Sequence, residues 1–459
     1  MTMDVDTIVA LSTAPGVGAI AVIRVSGPGA SGVLTSMLPT GVALPEERLA
    51  TLVELRDPED GAVLDRALVT RFVGPASYTG EDMVELSCHG GWIVPGLVLD
   101  ACRRAGAREA EPGEFTRRAY LRGKLDLVQA EAIADLIDAR SRAMHRAAVH
   151  QLDRGLSDRV GGMRARLVRV EALLAHHVDF PEEDDAPVSL EVVSSEAGRL
   201  VEELDALLAT APEGELLREG AVAVLAGRPN AGKSSLYNAL LGEERAIVTE
   251  EPGTTRDALI ASVQMAGFPF RLVDTAGLRA DAGAVETLGI EVARRWLGAA
   301  DVILFCVPAE EGLTADDVGF LTEERGAPVL LIETKADLGE GAGSLPTGVA
   351  SMVADRLRIS ARTGLGLDAL RDRARGLVYG NVLGVAPEVP VLTRRRHADA
   401  LRAARDEVEA FREGLAAGLP AEVAATHLRG AETALEEVVG IVQVDDVLDV
   451  VFREFCVGK

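Results

Sequence analysis

The sequence has only four cysteines, Cys88, Cys102, Cys306 and Cys456, widely separated and without a C-x-x-C pair. That excludes a disulfide framework and a zinc ribbon, and it suits a reducing compartment. Long hydrophobic runs are also missing. The apolar stretch 302–307 is typical of the longest, far short of the ~20 residues that span a bilayer. Asp4 and Asp6 stand where a secretory leader needs positive charge, so a cytoplasmic protein with no membrane partner is expected. Positive charge is in deficit throughout: 47 Lys and Arg against 72 Asp and Glu give −25 at pH 7. That balance argues against sequence-blind nucleic-acid binding over the whole surface. It leaves room for a local basic groove, or for a partner that carries the basic surface.

Two further scarcities point to particular positions. Lysine occurs only at Lys124, Lys233, Lys335 and Lys459, and asparagine only at Asn230, Asn238 and Asn381. A compositional bias has replaced lysine by arginine wherever either would serve. The survivors mark places where a compact point charge on a flexible stem is needed and a guanidinium fork is not tolerated, although any one of them alone is compatible with chance.

What is present is the balance of a globular protein: 459 residues, 48% hydrophobic and 26% charged, enough for about three domains of ~150 residues. Residues 1–122 alternate β-rich runs, AIAVIRVSG (19–27), RALVTRFVG (66–74) and DMVELSCHGG (82–91), with turns and the helical GLVLDACRRAG (96–106), an α+β pattern. Residues 123–217 turn helical, with Leu125, Val128, Ile133, Leu136 and Ile137 at helical spacing in one stretch over 125–147, and a solvated break at FPEEDDAP (180–187). Residues 218–381 alternate short apolar strands with polar loops and helical runs, the pattern of a parallel, doubly wound α/β sheet. Residues 382–459 are helical again. The expected fold is therefore multidomain α/β: an α+β N-terminal domain, and a discontinuous all-α domain into which an α/β domain is inserted.

The strongest chemical signal is GRPNAGKS (227–234) directly after the strand AVAVLA and before the helical SLYNALL. Glycines let backbone amides wrap phosphates, Lys233 reaches the β- and γ-phosphates, and the Ser234 hydroxyl is a magnesium ligand. Asp274, Thr275, Ala276 and Gly277 form a D-x-x-G loop at the end of a second strand, and TTRD (254–257) supplies a second magnesium-ligating hydroxyl, assigned to Thr255. Thr334, Lys335 and Asp337 (TKAD) follow a further strand, and Ser360, Ala361 and Arg362 follow the next. An aspartate there accepts from the N1 and N2 hydrogens of guanine and has no similar pairing with adenine, so GTP is favoured over ATP. Threonine replaces the asparagine of an N-K-x-D loop at 334, which predicts weaker guanine contact. Leu278 stands where a water-orienting glutamine is common, so hydrolysis needs a partner or another group. Glu286, twelve residues beyond Asp274, is a candidate, although a surface Glu in so acidic a chain is more often only solvated.

Taken together, GRPNAGKSSL, GTTRD, DTAGLR and the C-terminal FCVGK resemble the tRNA-modification GTPase family MnmE (TrmE). DTIVALSTAPGVGAIAVIRVSG, YTGEDMVELSCHGG, PGEFTRRAYLRGKLDLVQAEAIADLIDA and DFPEED agree with the same family over essentially the whole chain. The resemblance implies a homodimer whose N-terminal domain binds 5-formyl-tetrahydrofolate or a related folate through Arg24, Glu81, Lys124 and Lys459. It implies GTP or GDP with Mg2+, contacted also by Ala231, Gly232 and Ser235. It further implies K+-driven pairing of the G domains, with Asn230, Thr249, Glu251 and Thr254 around the cation and Glu286 organising the attacking water. A flavin-dependent MnmG/GidA-type partner, in a heterotetramer or larger complex, and tRNA are the implied partners. The implied product is a carboxymethylaminomethyl or aminomethyl group on C5 of the wobble uridine. A ribosome-assembly switch GTPase and a folate-dependent one-carbon transferase are the rival readings. Three smaller expectations complete the reading: Cys456 buried, since Val-Gly-Lys makes a poor prenylation box; His89 in a turn or satisfied in the core; and Arg394–Arg396 a solvated helix start.

Overall fold

The computed structural model describes residues 6–179, 189–243, 259–274, 286–339, 344–380, 390–441, 448, 451–453 and 455–458. Two compact units result, one from residues 1–134 with 436–459 and one from 135–435. Among the described residues no helix is long and apolar enough to cross a membrane.

The first unit is built on a six-stranded sheet of β1 (Ile8–Leu11), β2 (Ile20–Ser26), β3 (Thr51–Arg56), β4 (Val63–Phe72), β5 (Met83–His89) and β6 (Arg108–Glu109), in the order β3-β4-β5-β2-β1-β6. Its pairs are antiparallel except β1 with β6. Alternation along β2 sends Ala21, Ile23 and Val25 into a core shared with Leu34, Met37, Val98 and Cys102 of the helices Ala30–Met37 and Val94–Arg104. Period-two side-chain geometry then puts Arg24 on the opposite face, in register with Glu85 on β5. The C-terminal segment belongs to this unit. Leu448, Phe452 and Phe455 pack with Tyr120, Leu127 and Ala130, the Tyr120 hydroxyl donates to the Gly440 carbonyl, and Ser12 Oγ donates to the Gly458 carbonyl at 2.9 Å. Val444, expected on that apolar face, lies outside the described residues.

The second unit holds the sheet β7 (Ala221–Ala226), β8 (Leu259–Met265), β9 (Phe268–Asp274), β10 (Val302–Pro308), β11 (Val329–Thr334) and β12 (Asp355–Arg358), ordered β12-β11-β10-β7-β9-β8. Strands β7, β10 and β11 are buried on both faces, as continuous apolar runs require. The sheet is not wholly parallel: β8 pairs antiparallel with β9 at its edge. Ala266 and Gly267 turn the hairpin with φ of 50° and 84°, the left-handed pair that a two-residue hairpin needs. Helices before the sheet, Gly155–Asp179 and Leu190–Leu208, pack with each other, and Arg395–Ala416 from beyond the sheet packs along Leu190–Leu208. Gln151 Nε2 donates to the Val391 carbonyl and to Thr393 Oγ1, each at 3.1 Å, and the Leu392 amide donates to Thr210 Oγ1 at 3.1 Å. The chain thus leaves a helical layer, forms the sheet and returns to the same layer.

Four expectations need correction. The helix expected over 125–147 is broken: Leu127–Asp138 ends, and Ser141 caps Arg142–Leu152 by accepting the Met144 amide at 3.1 Å, because a Ser side chain satisfies an otherwise orphaned helix-start donor. Arg394 is not solvated; it is 7% exposed and meets Asp135 at 2.7 Å. Cys456 is exposed, not buried; in this stretch it is Phe452 and Phe455 that enter the core. His89 is exposed, and its Nδ1 lies 2.7 Å from Asp65. The break expected at 180–187 lies outside the described residues.

Candidate functional site

The phosphate loop runs from the end of β7 to the helix Lys233–Glu243. Gly227, at φ 124°, crosses β10 so closely that a Cβ would stand 2.3 Å from the Cys306 carbonyl oxygen. The buried Cys306 thiol beneath it is pushed up to about 12 by burial. Asn230 is exposed and adopts φ 60°, a left-handed conformation uncommon outside glycine and tolerated by Asn. Lys233 is 5% exposed, and its ammonium donates to the carbonyls of Gly227 at 2.8 Å and Arg228 at 2.7 Å. The charge is thereby held over the loop where phosphates would lie. Ser234 Oγ donates to Asp274 Oδ2 at 3.1 Å, so a hydroxyl and a carboxylate from two different elements converge. Both are hard oxygen donors of the kind magnesium takes. Arg228 braces the loop from outside, donating to the Gly312 carbonyl at 3.0 Å and pairing with Glu311 at 3.1 Å.

Beside this loop a cavity of about 310 Å³ is lined by Gly232, Ser235, Thr334, Lys335, Asp337, Ala361 and Arg362, among others. The predicted base-reading residues from two separate segments therefore share one cavity with the phosphate loop. Asp337 accepts from Ser360 Oγ at 2.6 Å and from Arg362 Nε at 3.0 Å. The Ser360 hydrogen bond, with Arg362 adding to it, holds this carboxyl below the usual carboxylate range, so it is an acceptor at neutral pH. Lys335 sits at φ 57°. Left-handed non-glycine residues cluster at sites where function over-determines the backbone, and Asn230 and Lys335 fit that pattern. Thr334 is buried and directs its hydroxyl at the Ala231 carbonyl, 2.7 Å away. Glu286 begins the helix Glu286–Gly298; its side chain, and Thr249, Glu251, Thr254, Thr255, Thr275, Ala276 and Gly277, lie outside the described residues.

The first unit carries a second cluster around Glu81. Its carboxylate accepts from Ser26 Oγ at 3.0 Å, Arg118 Nη1 at 3.1 Å and Arg122 Nη2 at 2.6 Å. Arg118, 3% exposed, also reaches Glu114 at 2.8 Å and Asp6 at 2.7 Å. Burial pushes the Glu114 carboxyl up, but hydrogen bonds from Arg108, the Glu111 amide and Arg118 outweigh it and hold it below its ordinary value of 4.5. Arg24 pairs with Glu85 at 2.8 Å and lies 5.6 Å from the centre of the Tyr78 ring. Lys124 Nζ donates to the Pro75 carbonyl at 3.0 Å. Arg24, Glu81 and Lys124 are thus gathered around one segment, 75–81. Lys459 lies outside the described residues. Sequence reasoning missed Ser26, Arg118 and Arg122. The Glu114–Arg118 spacing of four in PGEFTRR was the available signal, since such pairs face each other on a helix.

Comparison with known proteins agrees with this geometry. Residues 7–124 match the N-terminus of the GTP-binding protein TrmE, and residues 127–456 match the MnmE helical domain. The chain is 40% identical to a tRNA modification GTPase MnmE of Heliobacterium modesticaldum over 464 residues, covering 99% of each. It is 42% identical to that of Neisseria meningitidis, with 100% of both chains covered, and 44% identical to that of Methylobacterium radiotolerans, covering 99% of this chain and 100% of that one. A ribosome-assembly switch gives no account of residues 7–124, whereas these matches do. With a phosphate loop, a cavity adjoining it and these relatives, the chain is a multidomain α/β GTP hydrolase and belongs to the MnmE (TrmE) family of tRNA-modification GTPases.

Proposed function

We propose that the chain hydrolyses GTP to drive modification of the wobble uridine of certain tRNAs in the cytoplasm, acting as a homodimer with a flavin-dependent MnmG/GidA-type partner. The product carries a carboxymethylaminomethyl or aminomethyl group at C5, with a folate as one-carbon donor. The observation that carries this reading is the convergence of Arg362 and of Asp337, held by Ser360, on a cavity bounded by the phosphate loop, in a chain whose N-terminal third has its own polar cluster at Glu81. The division of labour follows: 1–122 for folate binding and dimerisation, 123–217 and 382–459 for the helical domain, 218–381 for the G domain.

Within the G domain, Lys233 turns from the Gly227 and Arg228 carbonyls to the β- and γ-phosphates, where its charge offsets what develops during transfer. Ser234 and Thr255 hold magnesium, with Asp274 beside Ser234 at 3.1 Å. Asn230, exposed at the loop, and backbone groups near Thr249, Glu251 and Thr254 hold potassium. Bound there, the cation supplies the positive charge that an arginine finger gives other GTPases. Glu286 orients water, which frees Leu278 from that role. In the N-terminal domain Arg24, Lys124 and Lys459 receive the anionic end of the folate, and Glu81 is a fixed acceptor for its ring N–H groups.

The test is GTP turnover by the full-length protein in potassium and in sodium, with Asn230→Ala alongside. Strong stimulation by potassium that disappears in Asn230→Ala is expected. Equal rates in the two salts would sink the cation assignment and leave a partner-activated switch.

A further inference from the structure

Most described arginines of this chain lie against a carboxylate or donate to a carbonyl, as 72 acids against 47 bases would lead one to expect. Arg142, Arg146, Arg159 and Arg169 do not. All four are exposed, and among the described residues none makes an ion pair, a side-chain hydrogen bond or a ring contact. They fall on two consecutive helices, Arg142–Leu152 and Gly155–Asp179, which pack against each other. Among the described residues only Arg294 and Arg429 share this lack, and Arg429 faces the charge of Glu171. Residues 139–178 hold eight arginines against Asp153, Asp158 and Glu171, a local surplus of positive charge in a chain of net −25. Arg154 takes up Asp158 at 3.1 Å.

The helices sort these charges outward. Ala143, Met144, Ala148 and Gln151 are buried on one side of the shorter helix, and Arg142 and Arg146 stand one turn apart on the other. On the longer helix Leu156, Val160, Met163, Leu167 and Val170 turn inward, leaving Arg159, Arg166 and Arg169 along the outside. Arg166 is held by Glu203 at 3.1 Å yet is still 49% exposed, and Arg164, which pairs with Glu432 at 2.7 Å, bounds the row. From Arg159 to Arg169 the row is about 15 Å long at 1.5 Å per residue. An extended row of guanidinium forks fits a chain of phosphates better than a single anion. Tryptophan, tyrosine and phenylalanine are missing from 139–178, so the face has nothing on which a base could stack.

We propose that the outer face of these two helices, through Arg142, Arg146, Arg159 and Arg169, is the surface on which the chain holds the sugar–phosphate backbone of tRNA. This rests on the tRNA reading above. Contacts of this kind position a nucleic acid without reading its sequence. The acidic remainder of the surface repels phosphate, which confines the RNA to this face.

The experiment measures the dissociation constant of fluorescein-labelled tRNA from the full-length protein, by anisotropy, across a range of potassium concentrations. The face variant is R142Q/R146Q/R159Q/R169Q, since glutamine keeps helix propensity and removes the charge. The control variant, R103Q/R199Q/R373Q/R402Q, removes the same charge from arginines that are exposed but paired with Asp100, Glu196, Asp355 and Asp399. The face variant should bind tRNA at least about tenfold more weakly near 0.1 M salt. Its plot of log affinity against log salt should be shallower by about three, as four phosphate contacts at ~0.7–0.9 each require. The control should stay within about twofold of the wild type. Basal GTP turnover and melting should be unchanged in both, which excludes misfolding as the cause. Equal tRNA affinity in the two variants would overturn the proposal. So would a face variant that keeps tRNA but loses the flavin-dependent partner, since the face would then dock a protein. Failure of the wild type to bind tRNA even at low salt would instead mean that the tRNA reading has failed, and the proposal with it.

Discussion

Replacing Arg118 by methionine should destabilise the first unit while leaving nucleotide binding in the second intact. Arg118 is 3% exposed and pairs with Glu81 at 3.1 Å, Glu114 at 2.8 Å and Asp6 at 2.7 Å. Methionine fills much of the same volume but leaves two carboxylates, each about 5% exposed or less, short of one cation. Breaking a buried pair by removing one partner typically costs about 3–5 kcal/mol. Arg122 still reaches Glu81 at 2.6 Å and Arg108 still reaches Glu114 at 2.6 Å, so the lower end, about 3 kcal/mol, is expected. Hydrogen exchange read peptide by peptide separates the units: amides of β1, β2 and β5 should lose protection by that amount, while those of β7, β10 and β11 should not. GDP affinity serves as the second readout and should hold within about twofold. A loss under about 0.5 kcal/mol in the first unit would refute the reasoning, for it would mean that these charges are solvated in spite of their geometry.

Further expectations follow from the same contacts. Gly227→Ala forces a Cβ to within 2.3 Å of the Cys306 carbonyl oxygen at φ 124° and should reduce GDP affinity more than tenfold, by about 1.4 kcal/mol or more, as isothermal calorimetry would show. Tyr379→Phe removes a hydroxyl that donates to the Pro269 carbonyl at 2.7 Å and accepts from the Ala221 amide at 3.4 Å; denaturant melts should show the second unit weakened by about 1–3 kcal/mol. Asp6 and Glu114 titrate below their ordinary values of 3.8 and 4.5 in the folded chain. Their contribution is therefore complete above those values and is lost as pH falls through the lower folded ones. Melting of the first unit should accordingly be flat from pH 7 to about 5 and drop steeply below pH 4 or so. Ser234→Ala should abolish the magnesium dependence of GTP turnover while leaving some GDP binding, which a magnesium titration would test.

Much of this was legible in the sequence because the chemistry is local. The phosphate loop needs its glycines and Lys233 within eight consecutive residues, GRPNAGKS, and backbone geometry leaves few alternatives at that spacing. The Asp337–Ser360 contact is longer-range, yet both residues sit at strand ends, where the order of β10, β11 and β12 brings them together. The edge strand β8 was missed because its hairpin turns on Ala266–Gly267, and alanine at φ 50° is not a residue type that advertises a left-handed turn. The helix break at 139–141 was hidden by unbroken apolar periodicity, although Ser141 is an ordinary cap. Arg118, Arg122 and Ser26 escaped notice because a surface arginine and one buried among three carboxylates look alike in one dimension. The contact made by Thr334 was illegible for the same reason: the partner of its hydroxyl, Ala231, lies 103 residues away.

The most direct test of the account is nucleoside mass spectrometry of unmodified tRNA incubated with this protein, a flavin-dependent MnmG/GidA-type partner, GTP, potassium and a folate one-carbon donor. The account predicts that the wobble uridine gains a carboxymethylaminomethyl or aminomethyl group, and that omission of the folate, or Lys233→Ala, abolishes it. Turnover of GTP at full rate with the wobble uridine left unchanged in the complete mixture would contradict it.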